Sequence, residues 1–297
     1  MKQMNTAKNI EDLDFSAAAS IQDNLALDVL SIPVDTNALT KTDLVDHFIH
    51  DYKEWINTST LNSFVGLDNY QYACYSAATS ESFDKFYMKN ASKRFRCFRG
   101  EYIYHKIAWR DKFAWAYIDD DELRTGDAVI ISLPFADTGN KHINHNQVLD
   151  TCERLGIPVL IDCCYFGVCA DIEFDLNYDC ITDVAFSLSK AFPVAHARIG
   201  MRLTKEDNDD TLFAYNKPGL MYTNRLTASL GQRFIEKFSP DYMYTTYREK
   251  QLEFCQLTGT KPSNTVFFGI GNEKWQKYNR GTNTNRLSFH RYLGDCK

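Results

Sequence analysis

Between about residues 127 and 162 the apolar positions come in continuous runs. Val129-Ile130-Ile131 and Val159-Leu160-Ile161 have no polar residue interleaved. Strands apolar at every position suit a sheet covered on both faces, hence a mostly parallel sheet with helices outside. Between the two runs, residues 144–155 read as a helix closed by Gly156 and Pro158. The result is a strand–helix–strand unit. Further short apolar runs at 70–75, 94–98, 113–118, 183–187 and 199–203 alternate with polar or helical stretches. Leu44, Val45, Phe48, Ile49, Tyr52 and Ile56 recur at helical spacing within an N-terminal arm-and-helix region of about 60 residues. Leu226, Leu230, Phe234 and Phe238 stripe a longer helix predicted over 221–238, ended by Pro240. Beyond 241 the pattern mixes helix with short strands at 266–268 and 286–289.

Composition adds limits. The 297 residues suffice for a large domain and a smaller one, and 44% hydrophobic with 24% charged residues is the profile of a soluble globular chain. A net charge of −6 argues against a nucleic-acid or anionic-membrane surface. The basic stretch Lys93-Arg94-Phe95-Arg96-Cys97-Phe98-Arg99 alternates, and reads as a strand with one wet face. No apolar run reaches the ~18 residues of a membrane span, and no signal-type stretch follows Met1-Lys2-Gln3-Met4-Asn5. Nine cysteines lack zinc or disulfide-framework spacing, so reduced, mostly buried thiols and a cytoplasmic location are expected.

Three pieces carry chemistry in order: Asp162-Cys163-Cys164-Tyr165-Phe166-Gly167, then Ser187-Leu188-Ser189-Lys190, then Arg198-Ile199-Gly200. Ligands of open parallel sheets sit beyond the carboxyl ends of the strands, where Asp162 and Lys190 fall. A carboxylate can keep a pyridine nitrogen protonated. A lysine amine can attach a carbonyl cofactor and move a proton. An arginine with two serines suits a phosphate.

This order resembles the fold-type I pyridoxal-phosphate (PLP) enzymes of the aspartate aminotransferase superfamily, over roughly residues 65–290. The resemblance implies a three-layer α/β/α large domain over 61–238 with a mostly parallel seven-stranded sheet. It adds a small α+β domain from 1–60 and 239–297. It also implies that Lys190 holds PLP as a Schiff base, with Asp162 on the ring nitrogen and Tyr165 on the phenolic oxygen. Ala78 (through its backbone), Thr79, Ser187, Ser189 and Arg198 are placed at the phosphate. Tyr102, ahead of Tyr104, is placed on the ring face. His105 is placed behind Asp162, with a partly exposed loop histidine as the other reading. Arg286, ahead of Arg291, is placed on the substrate carboxylate. Ala136 stands where the family has an asparagine on the phenolic oxygen, and Ala77 where it usually has glycine. Tyr215-Asn216-Lys217-Pro218 resembles a turn that reaches the partner subunit's phosphate. No arginine occurs in 210–213, where dicarboxylate-specific members carry one, so neutral side chains are the expected substrates.

The function implied is an aminotransferase acting on an amino acid and a 2-oxo acid, as a homodimer, with no nucleic acid, membrane or metal partner. Other PLP reactions (elimination, replacement, decarboxylation) use the same residues, and a non-catalytic PLP-binding homologue remains a reading of a different class. His142-x-x-His145 lacks a third metal ligand, and Gly269-Ile270-Gly271 lacks the strand–helix context of a dinucleotide loop.

Overall fold

The continuous apolar runs lie at the centre of a sheet, as burial on both faces demands. A computed structural model of the chain describes residues 10–207, 210–217, 220 and 222–294. Met1 to Asn5, Pro218 and Met221, which entered the sequence reading, lie outside the described residues. The strands are β1 (Ser63–Val65), β2 (Tyr72–Ser76), β3 (Arg94–Cys97), β4 (Trp115–Tyr117), β5 (Asp127–Ser132), β6 (Val159–Asp162), β7 (Glu173–Asp175), β8 (Ile181–Ser187), β9 (Gly200–Thr204), β10 (Lys261–Pro262), β11 (Phe268–Gly271) and β12 (Asn285–Ser288). The helices are α1 (Asn24–Ser31), α2 (Leu44–Asn57), α3 (Ala78–Lys89), α4 (Ile103–Trp109), α5 (His145–Leu155), α6 (Thr211–Asn216), α7 (Arg225–Lys237), α8 (Tyr242–Thr258) and α9 (His290–Leu293).

Seven strands form one sheet in the order β2-β9-β8-β6-β5-β3-β4. Its neighbours pair in parallel except around β9, which is antiparallel to β2 and β8. The mostly parallel sheet expected from the sequence is thus present. Its two faces feed two cores. Ala128 and Ile130 of β5 join Phe83 and Phe86 of α3. Val129 and Ile131 join Phe48 of α2 and Phe234 of α7 on the other side. Helices therefore cover both faces, giving three layers. A second, antiparallel sheet, β10-β11-β12, carries the C-terminal residues of the site.

Some local expectations shift. The wet face of β3 does not exist: Arg96 is 0% exposed. Its guanidinium donates to Asp127 at 2.7 Å and to the carbonyls of Ala116, Tyr117 and Glu122, so a charge pair and backbone oxygens take the place of water. The helix predicted from 221 begins at Arg225, because the Asn224 side chain caps it by accepting from Thr227 N at 3.2 Å. Gly269-Ile270-Gly271 belongs to β11, where a side chain at 269 would collide with Phe289 at 2.6 Å. The eight described cysteines are free thiols, all buried but Cys164.

Gly200 sets the geometry that matters most below. A Cβ there would lie 2.7 Å from Phe186 O and 2.8 Å from Ala78 Cα. Both are backbone atoms of a buried sheet and helix start, which cannot swing aside. Gly200→Ala is expected to destabilise the protein by about 1–3 kcal/mol in denaturant unfolding. Wild-type stability in that variant would show that α3 and β9 are free to separate.

Candidate active site

Where the strands end, their side chains leave the apolar core and polar groups can gather. β6 ends at Asp162, and β8 ends at Ser187 just before Lys190. Because β9 runs antiparallel, its beginning lies at the same edge: Gly200 pairs with both Ser187 and Ser76. Arg198 is thereby brought beside α3, which follows β2. A cavity of about 580 Å³ opens at this edge. Lys190, Asp162, Tyr165, Tyr102, Ala78, Thr79, Ser187, Ser189, Arg198 and Arg286 all line it. His105 does not line it and is fully buried.

One end of the cavity is an anion cradle. The Ala77 side chain offers no cap to α3, and although Glu81 accepts from Ala77 N at 2.6 Å, no side-chain cap is made to the N–H groups of the first turn, which can take a ligand. Ala78 (φ 59) and Arg198 (φ 56) both adopt left-handed backbone, costly for residues with a Cβ and typical of functional turns. The Arg198 guanidinium donates to the Ser80 hydroxyl and, at 3.3 Å, to Ala77 O. The hydroxyls of Ser187 and Ser189 bond each other at 2.6 Å. Ser80 was not singled out from the sequence, while the Thr79 hydroxyl, expected at the phosphate, hydrogen-bonds Asp162 instead.

The middle of the cavity holds a buried carboxyl. Burial pushes Asp162 up to about 8, the Glu101 carboxyl adds to the rise, and bonds from Cys164 N and Thr79 with the charge of Lys190 oppose it. Glu101 is likewise pushed up to about 7 by burial, against hydrogen bonds from Ser132. Ser132 N donates to it at 2.9 Å and Ser132 Oγ at 2.5 Å. Ser132 is the register partner of Asp162 on the neighbouring strand. Sequence reasoning missed Glu101; a single acid in the aromatic stretch after β3 was its only signal. His105 accepts or donates at Nδ1 with Tyr87 OH, 2.7 Å away, and its buried Nε2 has no partner. Burial holds it down to about 3. Of its two readings, the exposed loop histidine is excluded. Tyr102 reaches the cavity, whereas the Tyr104 hydroxyl is held by Asp84 at 2.9 Å.

The rest of the lining carries cations. Lys190 Nζ donates to Ala18 O at 2.5 Å. Arg286, on β12, donates to Ala136 O at 2.7 Å and Ala17 O at 3.1 Å, and stacks 4.3 Å over Phe268. Its buried Nε has no hydrogen-bond partner, and among the described residues no carboxylate lies within 4.0 Å of it. Burial lowers its affinity for its proton, and Tyr165 beside it acts in the opposite direction. Arg291, the competitor, pairs with Asp14 at 2.6 Å and does not line the cavity. The expectation of a site without a second arginine fails: Arg280 and Lys277 also line the cavity. These cations come not from 210–213 but from β12 and the turn before it, which fold back onto the carbonyl of Ala136.

No family model matches the sequence, and no curated protein matches it either. Solved structures do match its fold. Tyrosine aminotransferase from Leishmania infantum superposes with a TM-score of 0.64 at 12% identity, covering 98% of this chain and 93% of that one. A PLP-bound C-S lyase from Staphylococcus hominis gives 0.62 at 11%, covering 98% and 92%. L-threonine-O-3-phosphate decarboxylase from Porphyromonas gingivalis gives 0.60 at 11%, covering 92% of each. The chain therefore has the aspartate aminotransferase-like, type I fold. At these identities the likeness is one of fold, and its bearers run different reactions.

The two buried carboxyls give a pH signature. Their ordinary values are 3.8 and 4.5, and in the folded protein they rise to about 8 and about 7. Each group's stabilisation is complete below its unfolded value and is lost as pH rises through its folded value. His105, depressed from 6.5 to about 3, has the opposite sign and loses its stabilisation as pH falls. The comparison with variants isolates the carboxyls. Between about pH 5 and pH 8, the ligand-free wild type should lose stability relative to Asp162→Asn and Glu101→Gln. A wild-type-minus-variant difference in urea midpoint that stays constant with pH would refute this.

Proposed function

We propose that the cavity binds pyridoxal phosphate, and that the chain is a PLP-dependent enzyme acting at the α carbon of amino acids, with transamination as its reaction. The observation that carries this is the convergence, around one cavity, of an uncapped helix N-terminus with its arginine, a buried carboxyl, a lysine and an unpaired buried arginine. The residues fit the group. The phosphate would take the first N–H groups of α3, Ser80, Ser187, Ser189 and Arg198, and the missing Cβ of Gly200 keeps α3 close enough to β9 to form that cradle. Asp162 would face the ring nitrogen, and His105 is buried with its Nδ1 on Tyr87 OH.

PLP when bound supplies an electron sink for charge developing at the α carbon. The chain's own residues do the rest. Lys190 would give up its bond to Ala18 O to hold the cofactor through its amine and, once the amino group of the substrate takes its place there, the freed amine would carry the α proton. Asp162 would hold a proton at the ring nitrogen, a task that would stabilise its ionised form against the burial that now opposes it. Arg286 orients the substrate carboxylate. A carboxylate replaces Ala17 O and also satisfies the Nε–H, which leaves the guanidinium doubly bonded in a dry pocket. Ala136 contributes only its carbonyl and N–H, so Tyr165 is the side-chain donor available on that wall. Elimination and decarboxylation would use the same residues. We also propose a homodimer, in keeping with the fold; the exposed Tyr102 and Ile103 at the cavity mouth suit a covering subunit.

Two outcomes are expected. Borohydride reduction in the presence of PLP should fix the cofactor on Lys190, read by peptide mass; fixation on another lysine sinks the assignment. Arg286→Leu should raise KM for productive amino acids by about 10- to 100-fold and leave cofactor binding intact. Screening the loaded protein against amino-acid and 2-oxo-acid libraries tests transamination directly.

A further inference from the structure

Arg280 has no task in the reading above. We propose that Arg280, with Arg286 beside it and Lys277 at the rim, forms a subsite for a second anionic group, so that the substrates are amino acids whose side chain ends in a carboxylate or phosphate. The inference rests on the cavity being a PLP amino-acid site.

Three observations carry it. The first is preorganisation. Arg280 sits in a turn that is internally bonded: the Asn279 amide donates to Thr282 O at 2.8 Å and Thr284 O at 3.1 Å, and Gly281 N donates to Asn279 Oδ1 at 2.8 Å. Thr282 ties the turn to Asp137 at 2.6 Å. The ordering cost of the arginine is thus met before any ligand arrives.

The second is convergence. Arg280 Nη1 donates to Ala136 O at 2.9 Å, the same oxygen that takes Arg286 Nη1 at 2.7 Å. Arg280 Nη2 also donates to Glu101 O at 3.2 Å, so two planar forks meet at one point of the wall, held by backbone carbonyls that a charged oxyanion would displace.

The third is charge. Cofactor binding engages Arg198, Asp162 and Lys190. The remaining cations lining the cavity are Lys277, Arg280 and Arg286. Asp137 lies 3.6 Å from Arg280 and is already hydrogen-bonded to Thr282, the buried Glu101 carboxyl also feels the charge of Arg280, and Lys277 at the rim donates to Glu11 O at 3.0 Å. Asp137 Oδ1 accepts no hydrogen bond, so its pair with Arg280 is loose. The α-carboxylate of an amino acid would engage Arg286 and leave Arg280 with Asp137, 3.6 Å away, as its ion-pair partner. A second anion on the side chain gives Arg280 a tighter partner, and charge-assisted bonds in a half-buried pocket reward it.

The test is a titration of the PLP-loaded protein, followed by the visible absorption of the bound cofactor. L-glutamate, L-aspartate and O-phospho-L-serine are each compared with L-glutamine, L-asparagine and L-serine. At least one acid should bind about tenfold or more tighter than its neutral counterpart. Which pair shows the preference tells carboxylate from phosphate. Arg280→Met should bring that ratio towards one, and Arg280→Lys should retain part of it. Equal binding of acids and neutral counterparts, with normal spectral changes, overturns the subsite and leaves the PLP reading standing. Absence of any spectral response to all six removes the reading and the inference together. A preference undiminished in Arg280→Met overturns the assignment to this residue. If that variant fails to fold, the wild-type ratio and Arg280→Lys still decide.

Discussion

The end of β6 holds a carboxyl that nothing in the protein fully neutralises. Asp162 is buried, a second buried carboxyl stands near it, and the bonds from Cys164 and Thr79 do not offset the loss of water. Such an arrangement costs the folded chain free energy. The same edge carries an uncapped helix start and a buried guanidinium whose Nε has no partner. Each is an unmet demand of opposite or complementary kind. The ligands proposed above, a cofactor with a phosphate, a protonated ring nitrogen and a carbonyl, and an amino acid with its carboxylate, would answer all of them together.

The fold explains why these demands fall in one place. Parallel strands deliver their carboxyl ends to one edge, and the single reversed strand, β9, delivers its beginning there as well. Arg198 can face the start of α3 only because of that reversal. The approach of α3 to β9 in turn needs the missing side chain at Gly200. Left-handed backbone at Ala78 and Arg198 is the local consequence. Strain, close approach and the anion cradle are one feature seen from three sides.

The rest of the lining is built by a different part of the chain. β12 and the turn before it bring Arg286 and Arg280 to the carbonyl of Ala136, and the N-terminal stretch lays the carbonyls of Ala17 and Ala18 against Arg286 and Lys190. Phe15 anchors that stretch among Trp275, Tyr278, Phe289 and Tyr292, with ring centroids 5.5–6.0 Å away. Backbone oxygens thus occupy both cations until a stronger acceptor displaces them. That is the arrangement expected of a site that stays folded without its ligands.

The sequence by itself determined the sheet and the strand-end part of the site. Continuous apolar runs specify strands buried on both faces, and the spacing of Asp162, Lys190 and Arg198 follows from strand ends, so both were legible from local pattern. Of the two candidate pairs read from the sequence, Tyr102 and Arg286 line the cavity, while Tyr104 is tied to Asp84 and Arg291 to Asp14. The rest was decided by tertiary structure. Arg96 reads as a surface residue until Asp127 and four carbonyl groups are folded around it. Glu101 reads as an ordinary loop acid until Ser132 holds it near Asp162. Arg280 lies 82 to 118 positions from Arg198 and Asp162 along the chain, and no local pattern ties it to them. Burial and long-range convergence set the surroundings of those groups, and neither is written in the spacing of neighbouring residues.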